Sequence, residues 1–393
     1  MSGSVIVAGA RTPIGKLSGA LASFSAAELG GFAIAGALER AGVAPELVDY
    51  VFMGQVIQAG AGQITARQAS VKAGIPMSVP ATTINKVCLS GLNAIYLADL
   101  MINAGEADIV VAGGMESMTQ APYLLPGARA GYRFGDGTLV DATSYDGLFC
   151  AFDNCAMGLG TERYNGADGV SREVQDAFSA QSHQRAAAAI ASGKFAEEIV
   201  PVSVPQRKGD PKIVDTDEGV RGDTTAESLG GLRAAFDKQG PITAGNASQI
   251  SDGGCAVIVM SKAKAEELGV NPIGELVSYG QVAGPSPSLL SQPSHATSVA
   301  LAKAGLAVSD IDLFEINEAF AAVGLTSAAD LGISQDIVNV NGGAIALGHP
   351  VGMSGTRVAL TALLELKRRG GGTAAVSLCG GGGQGDAAVL RTL

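Results

Sequence analysis

The sequence of 393 residues has no tryptophan, three histidines and only 5% aromatic residues. Charged residues make up 16%, and 26 Lys and Arg face 37 Asp and Glu. A net charge of −11 leaves no basic stripe for a nucleic-acid backbone, which excludes that class of partner. No apolar run approaches the length of about 20 residues that spans a bilayer, so no membrane partner is expected. The five cysteines lack the spacing of a disulfide framework. Cys150-x₄-Cys155 has no histidine beside it, so no metal site is expected, and Cys255 lies in an apolar, strand-like run. Free thiols of this kind point to a reducing compartment. The apolar run Val5–Ala10 meets Arg11 at once and does not read as a signal peptide, so a cytoplasmic location is expected. Walker motifs are missing, as is a G-x-G-x-x-G that follows a strand into a helix.

What is present is apolar and small: 47% hydrophobic residues and 55 glycines. That composition is too apolar for disorder and suits helices packed closely on sheets. An internal repeat organises the chain. Ala37-Leu38-Glu39-Arg40-Ala41-Gly42-Val43 matches Ala300-Leu301-Ala302-Lys303-Ala304-Gly305-Leu306. Each reads as a helix end stopped by a C′ glycine. Each leads into an apolar strand, Val48 to Met53 and Ile311 to Ile316, with Asp49 matching Asp312. Further on, Ile109 to Gly114 matches Thr373 to Gly380, again a strand running into glycines. Strands alternating with helices in both halves predict an α/β fold. Residues 119–249 have no counterpart in the second half and read as an insertion. Within it, Ser171 caps a predicted helix that ends at Gly193, with Val174, Ala177, Phe178 and Ala189 on one face.

Three glycine-wrapped segments carry the reactive side chains. They are Asn85-Lys86-Val87-Cys88-Leu89-Ser90-Gly91-Leu92, Asn341 to Pro350 around Gly348-His349-Pro350, and Leu378-Cys379-Gly380-Gly381-Gly382-Gly383. Thiolate chemistry needs a nucleophile, a base and backbone that can approach the substrate; glycine permits the last. Cys88 precedes a helical stretch, where the positive end of the macrodipole favours thiolate. Most free cysteines, by contrast, are small buried hydrophobes. His349 is the histidine whose surroundings look built for a site. His183 falls opposite Val174 and Phe178, which suggests a solvated or inter-element role, and His295 at a helix start reads as structural or near a pocket rim. Cys379 is either a packing residue at a strand end or a second working thiol, and Asn317 either a turn cap or part of the site.

These segments resemble the three signature segments of the thiolase family, and the resemblance runs from Arg11-Thr12-Pro13 to the final glycine run. It implies the thiolase fold: two duplicated α/β halves in a five-layer αβαβα arrangement with an inserted loop domain. The halves would be 1–118 with 250–271, and 272–393; the loop domain, 119–249, would cover coenzyme A and make oligomer contacts. It implies reversible Claisen condensation of two acetyl-CoA to acetoacetyl-CoA and CoA through an acylated Cys88. His349 would be the base, Cys379 would move the α-proton, and Gly381 with the Cys88 N–H would form an oxyanion hole. Asn317 would orient a water that completes a second oxyanion hole with His349. For CoA the resemblance points to Arg221, Ser228, Phe236, Ala244, Ser248, Met157, Leu148 and Phe320. CoA and acyl-CoA are then substrates, without a prosthetic group, and a homodimer or homotetramer is expected. Two departures touch the acyl pocket: Ala156 where His is frequent, and Gln281-Val282-Ala283 before Gly284-Pro285. They leave open a broader 3-ketoacyl-CoA thiolase of fatty-acid β-oxidation. A ketoacyl synthase is disfavoured by the scarcity of histidine and by Cys379, and a non-catalytic lipid carrier by the presence of Cys88, His349 and Cys379 together.

Overall fold

The strand Ser4–Arg11 is buried along its whole length, and Ser251–Ser261 at all but its last residue. Strands apolar on both sides must be covered on both faces, and the architecture supplies that cover. The computed structural model describes residues 3–166 and 169–393. Its first sheet runs Ser4–Arg11, Ser251–Ser261, Ile109–Ser117, Tyr50–Gly54, Ala81–Ile84. Its second runs Glu275–Ala283, Gln384–Arg391, Thr373–Gly380, Leu313–Ile316. In each, two antiparallel pairings are followed by a parallel one. A parallel bridge from Phe314 to Val338 stands where the first sheet has its fifth strand. Even the register breaks correspond, at Ile6/Ala8 in the first edge strand and Leu276/Ser278 in the other.

Helices complete the layers. Ala26–Ala41 packs on the first sheet and Gln292–Ala304 on the second. They end at Gly42 (φ 65°) and Gly305 (φ 67°), the left-handed caps that the repeat predicts. Ser90–Asn103 and Ser354–Arg368 lie between the two sheets and pack on each other. Their contact is close because it is made of glycine: a Cβ on Gly91 would strike Thr356, and one on Gly355 would strike Leu92. The sequence-based expectation of a duplicated, five-layer α/β fold therefore holds.

Between Ser117 and Ser251 the chain leaves the first sheet. Short hairpins and the helix Arg172–Ala191 fill this stretch. Ser171 caps the helix as expected, accepting from the Val174 N–H. The expected apolar face is wrong, however. Val174 is 48% exposed and Ala177 is exposed, whereas Gln175, Asp176, Ser179, Ser182 and His183 are buried with Phe178 and Ala189. Polar side chains are buried here because each finds a partner: Asp176 accepts from Asn246 Nδ2 (2.9 Å), and Ser182 Oγ donates to Glu318 (2.7 Å). His183 is accordingly not solvated; its Nδ1 accepts the Arg221 N–H at 3.2 Å. His295 is exposed on its helix, away from the cavities described below.

Arg11 fastens this lobe to the first sheet. Its guanidinium grips both oxygens of Asp217 (2.6 and 2.9 Å), and its Nε donates to Glu198 (2.9 Å), all buried. Planar two-point recognition of this kind sets orientation as well as contact. Among the described residues, no helix is long and apolar enough to cross a membrane and no side-chain cluster could hold a metal ion.

Candidate active site

Cys88 follows the strand Ala81–Ile84 through a tight loop. Val87 adopts φ 50°, an unfavourable conformation for a β-branched residue, so neighbouring groups must hold it. Asn85 Oδ1 accepts the Val87 N–H (3.1 Å). Ser90 Oγ accepts the Lys86 N–H (2.8 Å) and donates to the Val87 carbonyl (2.6 Å). The helix Ser90–Asn103 then begins, and the N–H groups of Cys88 and Gly381 are directed at the Cys88 sulfur.

His349 comes from the corresponding place in the second half, the loop before the helix Ser354–Arg368. Gly348 holds φ 111°, which only glycine adopts readily. Ser354 Oγ donates to the Pro350 carbonyl (3.0 Å), so it accepts from His349 Nδ1, 2.6 Å away. The proton thus sits on Nδ1, and the Nε2 lone pair is free to act as a base. Asn317 Nδ2 lies 3.4 Å from Nε2, while Asn317 Oδ1 is buried without a hydrogen-bond partner. An unpaired amide oxygen beside a basic nitrogen fits a polar group or water bound between them.

Electrostatics set the resting protonation. Burial, reinforced by the charge of Arg357, pushes His349 down to about 3, so its imidazole is neutral at ordinary pH. Cys88 has one side on the cavity and is otherwise enclosed; desolvation pushes its thiol up to about 12, against the two N–H groups that favour thiolate. Burial, with Cys88 close by, also pushes the Cys379 thiol up. The helix start is therefore not enough to ionise Cys88 at rest, contrary to the simple macrodipole expectation. A raised pKa leaves less thiolate at every pH below it. Alkylation of Cys88 by iodoacetamide should still be rising at about pH 10, beyond the value of about 8.5 at which an ordinary thiol titrates. A plateau below pH 8 in that rate profile would refute the neutral resting pair.

Cys88, Cys379, His349 and Gly381 line one small chamber of about 50 Å³, closed by Leu148, Met157, Leu289, Ala319 and Phe320. It adjoins a cavity of about 560 Å³ lined by Phe236, Ala244, Ser248, Met157, Leu148 and Phe320, with Ala156 on its wall. Six of the eight expected CoA contacts are thus brought together. Arg221 and Ser228 are not: Arg221 is exposed, and Ser228 spends its hydroxyl on Thr225 in a capping box. Val282 and Ala283 also lie off both cavities, Val282 packing into the outer core of the second half.

Several residues escaped sequence reasoning. Lys16, Leu17, Ser144 and Val351 line the larger cavity. Glu116 accepts the N–H groups of Val56 (2.9 Å), Ile57 (3.2 Å) and Gly352 (3.0 Å), tying the His349 loop to the first sheet. Burial raises its pKa to about 8 in spite of those donors. A lone acid inside the run Ile109–Ser117 was its only sequence signal. Glu318, next to Asn317, accepts from Ser182, Asn339 and the Ile345 N–H and so braces the same loops.

A pair of thiols, a neutral imidazole and two N–H donors at the meeting point of duplicated halves define a site for acyl transfer through sulfur. Residues 4–263 match the family model described as thiolase, N-terminal domain, and residues 270–392 that of the thiolase C-terminal domain. The chain belongs to the thiolase family. It is 60% identical over 387 residues to a probable acetyl-CoA acetyltransferase of Mycolicibacterium smegmatis, covering 98% of this chain and all of that one. It is 53% identical to an acetyl-CoA acetyltransferase of Chromobacterium violaceum, over 98% of each chain. With that of Cupriavidus necator it shares 52% over the full length of both.

Proposed function

We propose that this protein is an acetyl-CoA C-acetyltransferase that interconverts two acetyl-CoA with acetoacetyl-CoA and CoA. The observation that carries the reading is the shared chamber of Cys88, His349 and Cys379. His349 Nε2 takes the Cys88 proton as the sulfur attacks the thioester carbonyl. The oxyanion is held by the N–H groups of Cys88 and Gly381. The departing CoA thiolate takes the proton of Cys379, leaving acetyl-Cys88 and a Cys379 thiolate. That thiolate removes the α-proton of a second acetyl-CoA, whose enolate oxygen lies against protonated His349 and Asn317. The carbanion attacks acetyl-Cys88, and the released Cys88 sulfur recovers its proton from His349. Cleavage is the same path reversed. CoA enters and leaves as substrate, so the reading calls for no prosthetic group.

The size of the chamber supports a short acyl group. At about 50 Å³ against about 560 Å³ for the cavity it adjoins, the chamber is narrow, and Leu148, Met157, Leu289 and Phe320 close it. Ala156 opens only the larger cavity outside. Mixing the protein with CoA and 3-ketoacyl-CoA of increasing length, and following loss of the ketothioester, tests this. Acetoacetyl-CoA should be cleaved best, with rates falling as methylenes are added, each worth about 1–3 kcal/mol in an apolar pocket. Activity should remain measurable a few carbons beyond it. A series with long chains best and acetoacetyl-CoA poorest would favour the broad β-oxidation enzyme instead.

A further inference from the structure

The loop bearing Cys88 and the strand bearing Cys379 belong to different sheets, and a partly buried side-chain contact joins them. Lys86, two residues before Cys88, places Nζ 2.7 Å from Asp386 Oδ1 and 2.8 Å from Oδ2. Asp386 is fully buried and pairs with Leu378, one register step from Cys379 opposite Gly385. The Tyr279 hydroxyl donates to the same carboxylate (2.6 Å). The Tyr279 ring in turn stacks on Tyr96, in the helix that Cys88 precedes, with ring centroids 4.2 Å apart and planes 2° from parallel. Asp386 therefore holds the Cys88 segment twice, through Lys86 in front and through the tyrosine pair behind.

A buried ion pair adds little net stability, because desolvation offsets the attraction; what it does fix is separation. Separation matters here. The Cys88 N–H and the Gly381 N–H come from opposite sheets and must meet one oxygen, while Val87 holds a backbone conformation that relaxes if its neighbours let go. Asn85 and Ser90 restrain that loop from the first half, and Asp386, through Lys86, restrains it from the second.

We propose that Lys86 and Asp386 form a positioning pair that sets the Cys88 loop against Cys379 and Gly381. The proposal rests on the acyl-transfer reading, and its test separates the two. Acetyl groups bound per chain after exposure to labelled acetyl-CoA count competent sites, and turnover is divided by that count. Lys86→Met and Asp386→Asn should still take up acetyl groups. Their turnover per acylable site should fall about 10–100-fold, as a displacement of about 1 Å between reacting groups does. KM for acetoacetyl-CoA should stay within about two-fold, since the larger cavity is untouched. Simple loss of folded protein lowers the site count and leaves turnover per site unchanged, so it cannot mimic this result. Lys86→Arg, which keeps a charge able to reach the carboxylate, should recover most of the rate. The double variant Lys86→Met/Asp386→Asn should lose no more than the worse single one. Should Asp386→Asn fail to fold, Lys86→Met and Lys86→Arg, on the partly exposed side of the pair, decide the question. Wild-type turnover per site in Lys86→Met, or no recovery in Lys86→Arg, would overturn the positioning role. A wild-type protein that takes up no acetyl group would instead defeat the acyl-transfer reading.

Discussion

Cys88→Ala should abolish both acetyl labelling and turnover. Wild-type protein incubated with labelled acetyl-CoA and denatured should carry the label on the peptide containing Cys88; the variant should carry none. Removing a nucleophile costs far more than removing a donor, because no neighbouring atom inherits its geometry. Turnover should drop by a factor on the order of 10⁴ or more. Cys379 cannot substitute, since it lies near the end of the strand Thr373–Gly380 and packs into a cluster with Leu289, Phe320 and Val323. The fold should survive the change, because alanine leaves the Val87 restraints and the following helix in place. Label recovered on Cys379 or Cys255 instead would sink the assignment.

Cys379→Ala should divide the reaction in two. Nucleophile, base and oxyanion donors all remain, so acetyl-Cys88 should still form and CoA should still be released once per site. Condensation should fall about 10²- to 10⁴-fold, the range associated with losing a positioned proton-transfer group. Exchange of the acetyl-CoA α-protons with heavy water should disappear alongside it. This thiol is raised by burial and by nearby Cys88, so it is protonated at rest and becomes a base only after giving up its proton within the cycle. Near-normal condensation in the variant would return Cys379 to a packing role.

Much of this was legible because the chemistry sits on rare residue types in unusual settings. Three histidines made the search for a base short, and only His349 lay in a glycine-bounded loop. The duplication showed through Gly42 and Gly305, since a left-handed helix stop imposes glycine at both sites. Periodicity failed where burial is bought by pairing instead of hydrophobicity. On the helix Arg172–Ala191, Asp176, Ser182 and His183 face inward because Asn246, Glu318 and Arg221 meet them, partners far away in sequence. Glu116 and Ser354 stayed invisible for the same reason, as their roles lie in groups on other loops. Arg221 and Ser228, which the resemblance assigns to CoA, lie outside the lining of both cavities: Arg221 is exposed and the Ser228 hydroxyl bonds the Thr225 carbonyl.

The strand order carries a consequence for how the chain comes to be folded. Ser4–Arg11 takes its continuous pairing from Ser251–Ser261, with single bridges to Gly274 and Ile199 on its other side, and Ser251–Ser261 separates it from Ile109–Ser117. A ribosome adding about 5–20 residues per second needs roughly 12 to 50 s to deliver that partner after the first strand has emerged. Until then two strands that are fully buried in the finished fold have open edges, and the nascent first half cannot close its sheet. The second half waits less, because no inserted lobe separates Glu275–Ala283 from its partner Gln384–Arg391, which itself follows directly on Thr373–Gly380. Co-translational protection is therefore needed most by the amino-terminal half, during the time in which the inserted lobe is being made.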